Sequence, residues 1–509
     1  MLPIKQHCNS TMKFKSNVKQ CIVSETEAEM TNSEVDYIVK SIGAFGIWQA
    51  IICTICMSAR AILMWNITSI LFLTSTTEFR CLKFEDDEPN VIENSTCYDN
   101  CLQYEYYNDA FRLNLIAEFD LICEKAWLAS FVQTVLMFGV LIGVALTGWI
   151  SDRFGRQIAI ILSGVISVVF TIASSFALDF WSFTSLRFIV GLGCGGLMAT
   201  TIVVIMEAVG AEHKEFAGGV SVLGDGVSQS ILALCAYYSP TWNIYILSYG
   251  ILSLFILIPI MFIPETPRWL VANRKIDKAI NLMTSIANLN KLNTDTIEDN
   301  VIKCIKNIEE KQKEPPKTNF LDLFRTKEIA FTTVHSVIIW TIAGVSYFGI
   351  NQYVTVLSPN NIYLVVIISG LIQIPATLTG MVFNKWFGRK KSSIVSFISI
   401  GVSMSILIFL PDDHWASTVF ALVGLIAACI LFTVIYVQAN ELFPTPLRNM
   451  GFGASSAGAK IGAMLAPFIV NFHPHWIASM IFAILPFVAA GFCLGLIETK
   501  GVKLKDTID

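Results

Sequence analysis

Two stretches of this chain carry no charge at all. Ile329 to Asn384 runs 56 residues without Asp, Glu, Lys or Arg, and Ile461 to Ile497 runs 37. A water-soluble domain has no use for such runs, because about a quarter of its residues are charged. A bilayer does, since a helix needs about 20 apolar residues to cross its hydrocarbon core. The rest of the chain agrees: of 509 residues, 54% are apolar or aromatic and only 15% are charged. The reading is a polytopic membrane protein. The net charge of -4 argues against nucleic acid as a partner, and the composition excludes a secreted disulfide scaffold, a disordered chain and a collagen.

Twelve stretches are long and apolar enough to span. They lie near 47-73, 127-150, 158-178, 181-206, 216-238, 241-263, 330-352, 361-383, 392-410, 415-438, 450-470 and 476-497. Loop charge sets their sidedness. The segment 66-126 holds four basic and twelve acidic residues, whereas 265-328 holds twelve basic ones. The positive-inside rule puts the second in the cytoplasm and the first outside. The short basic turns at Asp152 to Arg156 and Gly388 to Lys391 agree. Residues 1-40 are polar, with no apolar run near Met1. This predicts no cleaved signal peptide and cytoplasmic termini.

Thirteen cysteines are present. Cys81, Cys97, Cys101 and Cys123 fall in the one long outer segment, which suggests two disulfides in an oxidising compartment. Three pairings are open. Asn94-Ser95-Thr96 in the same loop is a glycosylation acceptor.

The chain also repeats itself. Gly155-Arg156 recurs as Gly388-Arg389 and Glu265-Thr266 as Glu498-Thr499, both offset by 233, while Glu207 and Glu441 are offset by 234. The expected organisation is a cytoplasmic tail (1-40), a six-helix half (41-264, outer loop about 74-126), a cytoplasmic linker (265-328), a second six-helix half (329-498) and a tail (499-509). Two parallel six-helix halves around a central cavity suit a carrier that rocks between two openings.

The motif Gly148-Trp-Ile-Ser-Asp152-Arg153-Phe-Gly155-Arg156, between spans 2 and 3, resembles the signature of the major facilitator superfamily. Arg187, followed by Gly191, Gly193, Gly195 and Gly196 on span 4, belongs to the same pattern. A narrower resemblance covers most of the chain. Glu118-Phe-Asp-Leu-Ile-Cys123-Glu-Lys-Ala-Trp127, Pro264-Glu265-Thr-Pro-Arg268-Trp269 and Glu441-Leu-Phe-Pro444-Thr-Pro-Leu-Arg448-Asn449-Met-Gly451 are similar to the organic cation, anion and zwitterion transporters of solute carrier family 22. The resemblance implies an all-α membrane protein of the major facilitator fold. It would be a plasma-membrane carrier of small organic ions working by alternating access, with Na+ or H+ as candidate coupling ion. Gly148 is expected to allow close helix packing. Asp152, Arg153 and Arg156, with Arg187, Glu207, Glu265, Arg268, Arg389, Glu441 and Arg448 at cytoplasmic span ends or loops, are expected to gate. In the second half Lys385 replaces the expected Asp, and Met381 the leading Gly.

Ionisable residues inside spans are costly and mark function by default. Three stand out: Arg60 on span 1, Asp225 on span 5 and Lys460 on span 11. By resemblance, the Lys460 position is Asp in cation transporters and Arg in anion and carnitine-type transporters. The acid often found on span 8 is Gln373 here. Together these favour an anionic or zwitterionic substrate. Lys460 either takes the substrate's carboxylate or pairs with Asp225. Asp225 is open to four readings: that salt bridge, an ammonium subsite, a proton-coupling acid, or a packing hydrogen bond near Gly224 and Gly226. Arg60 is either a second anion anchor or displaced toward an interface. Trp340 and Tyr347, seven apart on span 7, resemble the family's aromatic substrate cage.

Other classes compete. An organic cation uniporter is the nearest alternative, and a transport-dead receptor on the same scaffold is another. An enzyme is disfavoured. The chain has no nucleophile–His–acid set, no zinc-type His pair and no Walker loop, and no metal or cofactor is expected.

Overall fold

The computed structural model describes residues 37–75, 77–84, 94–98, 100–107, 111–311, 319–358, 361–411, 414–472 and 474–501. Most of the 1-40 tail, the tip of the outer loop and the end of the C-terminal tail lie outside the described residues. In lipid, every backbone polar group must be satisfied within the segment, so each long apolar run becomes a helix. Among the described residues twelve such helices are present: Ile47–Leu73, Cys123–Phe154, Arg156–Ser174, Phe180–Ala208, Phe216–Tyr237, Trp242–Met261, Lys327–Val356, Ile362–Trp386, Arg389–Leu407, Trp415–Leu442, Arg448–Val470 and Trp476–Leu494. They are numbered span 1 to span 12. Their ends follow local chemistry. The Asp179 carboxylate caps span 4 by accepting from Ser182 N at 2.9 Å, and Thr326 caps span 7 by accepting from Ile329 N.

The odd spans begin at the end of the bundle that holds the linker, and the even spans at the end that holds loop 1. Each half has its own apolar core. One cluster, including Trp340, Tyr353, Phe397 and Phe482, belongs to spans 7 to 12. Another joins spans 1, 3, 4 and 6 to the linker helices through Ile52, Ile160, Trp269 and Met283. Those helices, Pro267–Ala272, Ile276–Leu289 and Ile297–Lys311, pack beneath the first half. Asn290 ties them there: its Oδ1 accepts from Trp48 N, and its Nδ2 donates to Ile42 O at 2.8 Å and Gln49 Oε1 at 3.0 Å.

Small residues set the helix separations. A Cβ on Gly191 would lie 2.3 Å from Leu136 O on span 2, and one on Gly195 would lie 2.3 Å from Val140 O. The span-4 glycine face is therefore a seam of backbone against backbone. Gly148 does not share this role: an added Cβ would meet nothing within 4 Å. The expectation of close packing at Gly148 is corrected, because the backbone contact of span 2 with span 4 lies earlier in the helix, at Gly139 and Gly143.

Loop 1 contains a two-stranded antiparallel sheet, β1 (Glu78–Phe84) and β2 (Cys101–Tyr107). Of the three open pairings, the structure adopts Cys81–Cys101 and Cys97–Cys123. The first staples β1 to β2. The second ties the loop to the start of span 2. Asn94 is exposed beside this hairpin.

Candidate functional site

Spans 1, 5, 7, 8, 10 and 11 bring the intramembrane polar residues together. Arg60 is buried and grips Asp225 with two donors: Nη2 to Oδ2 at 2.5 Å and Nε to Oδ1 at 3.0 Å. This answers two expectations. Arg60 is not displaced toward an interface, and Asp225 is neither paired with Lys460 nor free to hold an ammonium. A guanidinium fork suits a carboxylate better than a single ammonium does.

Lys460 is also buried. Its Nζ donates to Ser456 Oγ at 2.9 Å, one turn back on span 11. Among the described residues, no carboxylate lies within ion-pair distance of it. Arg60 and Asp225 stand on spans 1 and 5 of the first half, and Lys460 on span 11 of the second. Two cations and one anion leave this centre with one net positive charge. Arg60 Nη1 is buried without a hydrogen-bond partner. Uncommitted N–H donors are therefore present on both halves, from Arg60 and from Lys460.

Aromatic rings wall this centre. Trp340 packs edge-on against Tyr436 with ring centroids 4.8 Å apart and meets Phe432 and Phe452 at 6.3 and 5.8 Å. Tyr347 shares the Phe432 ring at 5.2 Å. Its hydroxyl donates to Gln373 Oε1 at 2.9 Å. Gln373 Nε2 donates to Gln229 Oε1 at 2.8 Å, and Gln229 Nε2 donates to Ser369 Oγ and Asn351 Oδ1. This amide chain crosses from span 5 to spans 7 and 8. Gln229, Tyr436 and Phe432 are additions to the residues singled out from sequence. The signal for Gln229 is its spacing: it stands one helical turn after Asp225, on the same face.

Four further hydrogen bonds between the halves lie toward the loop-1 end. Ser130 Oγ donates to Pro467 O, Thr134 Oγ1 to Met464 O, Asn471 Nδ2 to Ser130 Oγ and Ser230 Oγ to Ile367 O.

At the linker end the two halves carry matching ion clusters. Gly155 (φ +119°) and Gly388 (φ +87°) turn the chain into spans 3 and 9, and a Cβ at either would strike a carboxylate. Those carboxylates are Glu265 and Glu498, seated on the first amides of the next helix. Glu265 accepts from Arg156 N at 3.0 Å and Gln157 N at 3.3 Å; Glu498 accepts from Arg389 N at 2.9 Å and Lys390 N at 3.2 Å. The Arg side chains then reach the ends of spans 4 and 10: Arg156 to Glu207 at 2.9 Å and Arg389 to Glu441 at 2.8 Å. Thr266 and Thr499 donate to the same two carboxylates. Arg268 Nε donates to Glu207 O. Asp152 adds a second carboxylate to Arg156 at 2.8 Å. Arg153 instead lies over the Trp149 and Phe154 rings. Arg448 is the first residue of span 11, at this end.

Burial opposes ionisation of Glu498, but backbone N–H groups of Lys500, Arg389, Lys390 and Thr499 hold its carboxyl below the usual value of 4.5. A depressed folded value stabilises above the unfolded one and is lost as pH falls through it. Thermal melts are expected to show wild type losing its advantage over Glu498→Gln below about pH 4.5, with the gap constant from pH 6 to 8.

Arg187 departs from its expected place. It lies two turns into span 4, at the opposite end from Glu207, and is wholly buried. Its Nη2 donates to Asn66 O at 2.7 Å and Ser69 Oγ at 2.8 Å, and its Nη1 donates to Asn66 Oδ1 at 3.2 Å. Ser69 separates the helical segments Ile47–Thr68 and Ile70–Leu73 of span 1. Arg187 therefore braces this break and takes no part in the linker-end clusters.

Comparison with known proteins places these features. Residues 90–507 match the family described as Sugar (and other) transporter. Solute carrier family 22 member 3 of Mus musculus is 30% identical over 403 residues, covering 78% of this chain and 71% of that protein. Solute carrier family 22 member 13 of Homo sapiens is 30% identical, covering 77% and 70%. The human protein named organic cation/carnitine transporter 2 is 26% identical, covering 86% and 78%. Among solved structures, the inward open xylose transporter XylE from E. coli superposes with a TM-score of 0.63 at 17% identity, covering 89% of this chain and 97% of that one. That likeness speaks to the fold, the major facilitator fold. The chain belongs to the Sugar (and other) transporter family and, within it, to solute carrier family 22: it is a multi-pass membrane transporter.

Proposed function

We propose that this chain carries small organic ions bearing one carboxylate or comparable anionic group across the plasma membrane by alternating access, without making or breaking bonds. The linker end would face the cytoplasm, and the linker-end clusters at Asp152, Arg156, Glu207 and Glu265 and at Arg389, Glu441 and Glu498 would gate. One observation carries the substrate reading: Lys460 is buried without a carboxylate partner among the described residues, and Arg60, also buried, keeps an unbonded Nη1. A net positive, poorly hydrated centre attracts an anion and repels a simple ammonium. Arg60 and Lys460 stand on opposite halves, so one bound anion would cancel the remaining positive charge and could bond donors from both. The carnitine for which the human relative is named is a zwitterion, and the Trp340, Tyr347 and Tyr436 rings favour that second reading. They would hold an ammonium by cation–π attraction, since Asp225 is already engaged. Na+ or H+ is the proposed coupling ion if flux is concentrative.

The test is uptake in expressing oocytes of p-aminohippurate, carnitine and tetraethylammonium, with Lys460→Asp run in parallel. Wild type is expected to take up p-aminohippurate or carnitine, and the variant to lose it by about tenfold or more, the worth of one charge-assisted contact. Uptake of tetraethylammonium alone would overturn the charge reading in favour of a cation uniporter. No uptake of any probe at normal surface density would favour a receptor on the carrier scaffold.

A further inference from the structure

The two linker-end clusters match in their Gly, Arg and Glu positions and differ in the charge around them. At the 233-residue offset, Asp152, Gln157, Ile158 and Pro267 of the first half correspond to Lys385, Lys390, Lys391 and Lys500 of the second. The first half keeps Arg153 and Arg268 where the second has Trp386 and Gly501, yet the second remains the more basic. Among the described residues, Arg156 has two carboxylates, from Asp152 and Glu207, whereas Arg389 has Glu441 alone.

Two of these lysines tie the turn between spans 8 and 9 to the end of span 12 and the chain that follows it. Lys390 Nζ donates to Leu494 O at 2.8 Å, and Lys500 Nζ donates to Trp386 O at 2.9 Å. The turn between spans 8 and 9 is thereby joined to the end of span 12. Lys385 and Lys391 are exposed, and among the described residues neither has an ion-pair partner. Glu498, the acid seated against this turn, is spent on backbone amides. Large apolar side chains flank the lysines: Trp386 is 69% exposed and Ile497 67%, with Phe387 and Leu494 beside them. Exposed aromatic and aliphatic groups at a span end sit where hydrocarbon gives way to headgroups, and flexible lysines reach out from there toward anionic lipid.

We propose that this face of spans 8, 9 and 12 binds the headgroup of an anionic phospholipid. Its acyl chains lie along Trp386, Leu494 and Ile497, and its phosphate is held by Lys385, Lys391 and Lys500. The lipid phosphate supplies the second half with the kind of negative charge that Asp152 supplies to the first. Charge complementarity selects a lipid over a protein partner, because the lysines border a surface that faces the bilayer.

The experiment uses the purified full chain in detergent. Retained lipid is read by native mass spectrometry and stability by thermal melting, with phosphatidylserine, phosphatidylcholine and inorganic phosphate as separate additions. Wild type is expected to retain phosphatidylserine at least about tenfold over phosphatidylcholine and to melt higher only with the former. Lys385→Gln/Lys391→Gln/Lys500→Gln should lose the preference, and the corresponding triple Arg variant should keep it. Equal retention of the two lipids by wild type, or an equal rise with inorganic phosphate alone, overturns the proposal whether or not the Gln variant folds. So does an unchanged preference in that variant.

Discussion

Asp225→Asn is expected to cut uptake to less than a tenth of wild type, with part of the loss arising from poor surface delivery. The carboxylate is buried, and both its oxygens are taken by Arg60. Removing one partner of a buried pair leaves the other charge uncompensated, at a cost of about 3–5 kcal/mol. Two further variants separate folding from function. Arg60→Met/Asp225→Leu removes both charges together, so it should reach the surface far better than Asp225→Asn. It should still fail to transport, because the unbonded Arg60 Nη1 is gone from the centre and Lys460 stands alone. Surface biotinylation beside uptake checks both statements. Normal transport per surface molecule in Asp225→Asn would show that the pair holds nothing the carrier needs.

Gly226→Val is the second large effect, and its origin is steric. Gly226 on span 5 and Gly370 on span 8 pack backbone to backbone between the halves. A Cβ at 226 would lie 2.3 Å from Gly370 O, and one at 370 would lie 2.6 Å from Gly226 O. A backbone carbonyl in the middle of a helix cannot move aside as a side chain can. The arrangement seen here, with the halves joined at the loop-1 end, is then closed to the variant. Uptake is expected to fall about tenfold or more, and a cysteine introduced near Thr134 should become reactive to an impermeant thiol reagent from the loop-1 side. Gly148→Ala is the matched control: its Cβ enters open space, so uptake should stay near wild type. A transporting Gly226→Val would mean that this contact is absent from the working cycle.

Much of the fold was legible in the chain because its cause is local. Hydrocarbon demands length and apolarity from each segment separately, so twelve runs became twelve helices with ends displaced by a few residues. The Gly155-Arg156 and Gly388-Arg389 turns were legible for a similar reason. A positive-φ glycine, an arginine and a carboxylate recur in register, and each copy closes the same short circuit of hydrogen bonds. Loop 1 was legible only in part: four cysteines announced two bridges, but only the folded loop shows that Cys81 meets Cys101 and Cys97 meets Cys123.

The central site divides along the same line. Sequence marked Arg60, Asp225 and Lys460 as charges that a membrane tolerates only for a reason. It did not reveal which cation meets Asp225, because that depends on the rotation and tilt of span 1 against span 5, across 165 residues of chain. Those angles are set by close contacts such as Gly224 against Met57 and Trp65 against the Ser228 carbonyl. Arg187 was misplaced for the same cause: the oxygens that satisfy it belong to Asn66 and Ser69 on span 1, and no motif announces which faces of spans 1 and 4 meet. Composition and spacing by themselves determined the number of spans, their order and three of the four charges buried among the described residues, Arg60, Asp225 and Lys460, because each follows from transfer of one segment into lipid. Tertiary packing alone decided that Asp225 goes to Arg60 and that Lys460 has no carboxylate among the described residues, because pairing depends on which faces of distant helices meet.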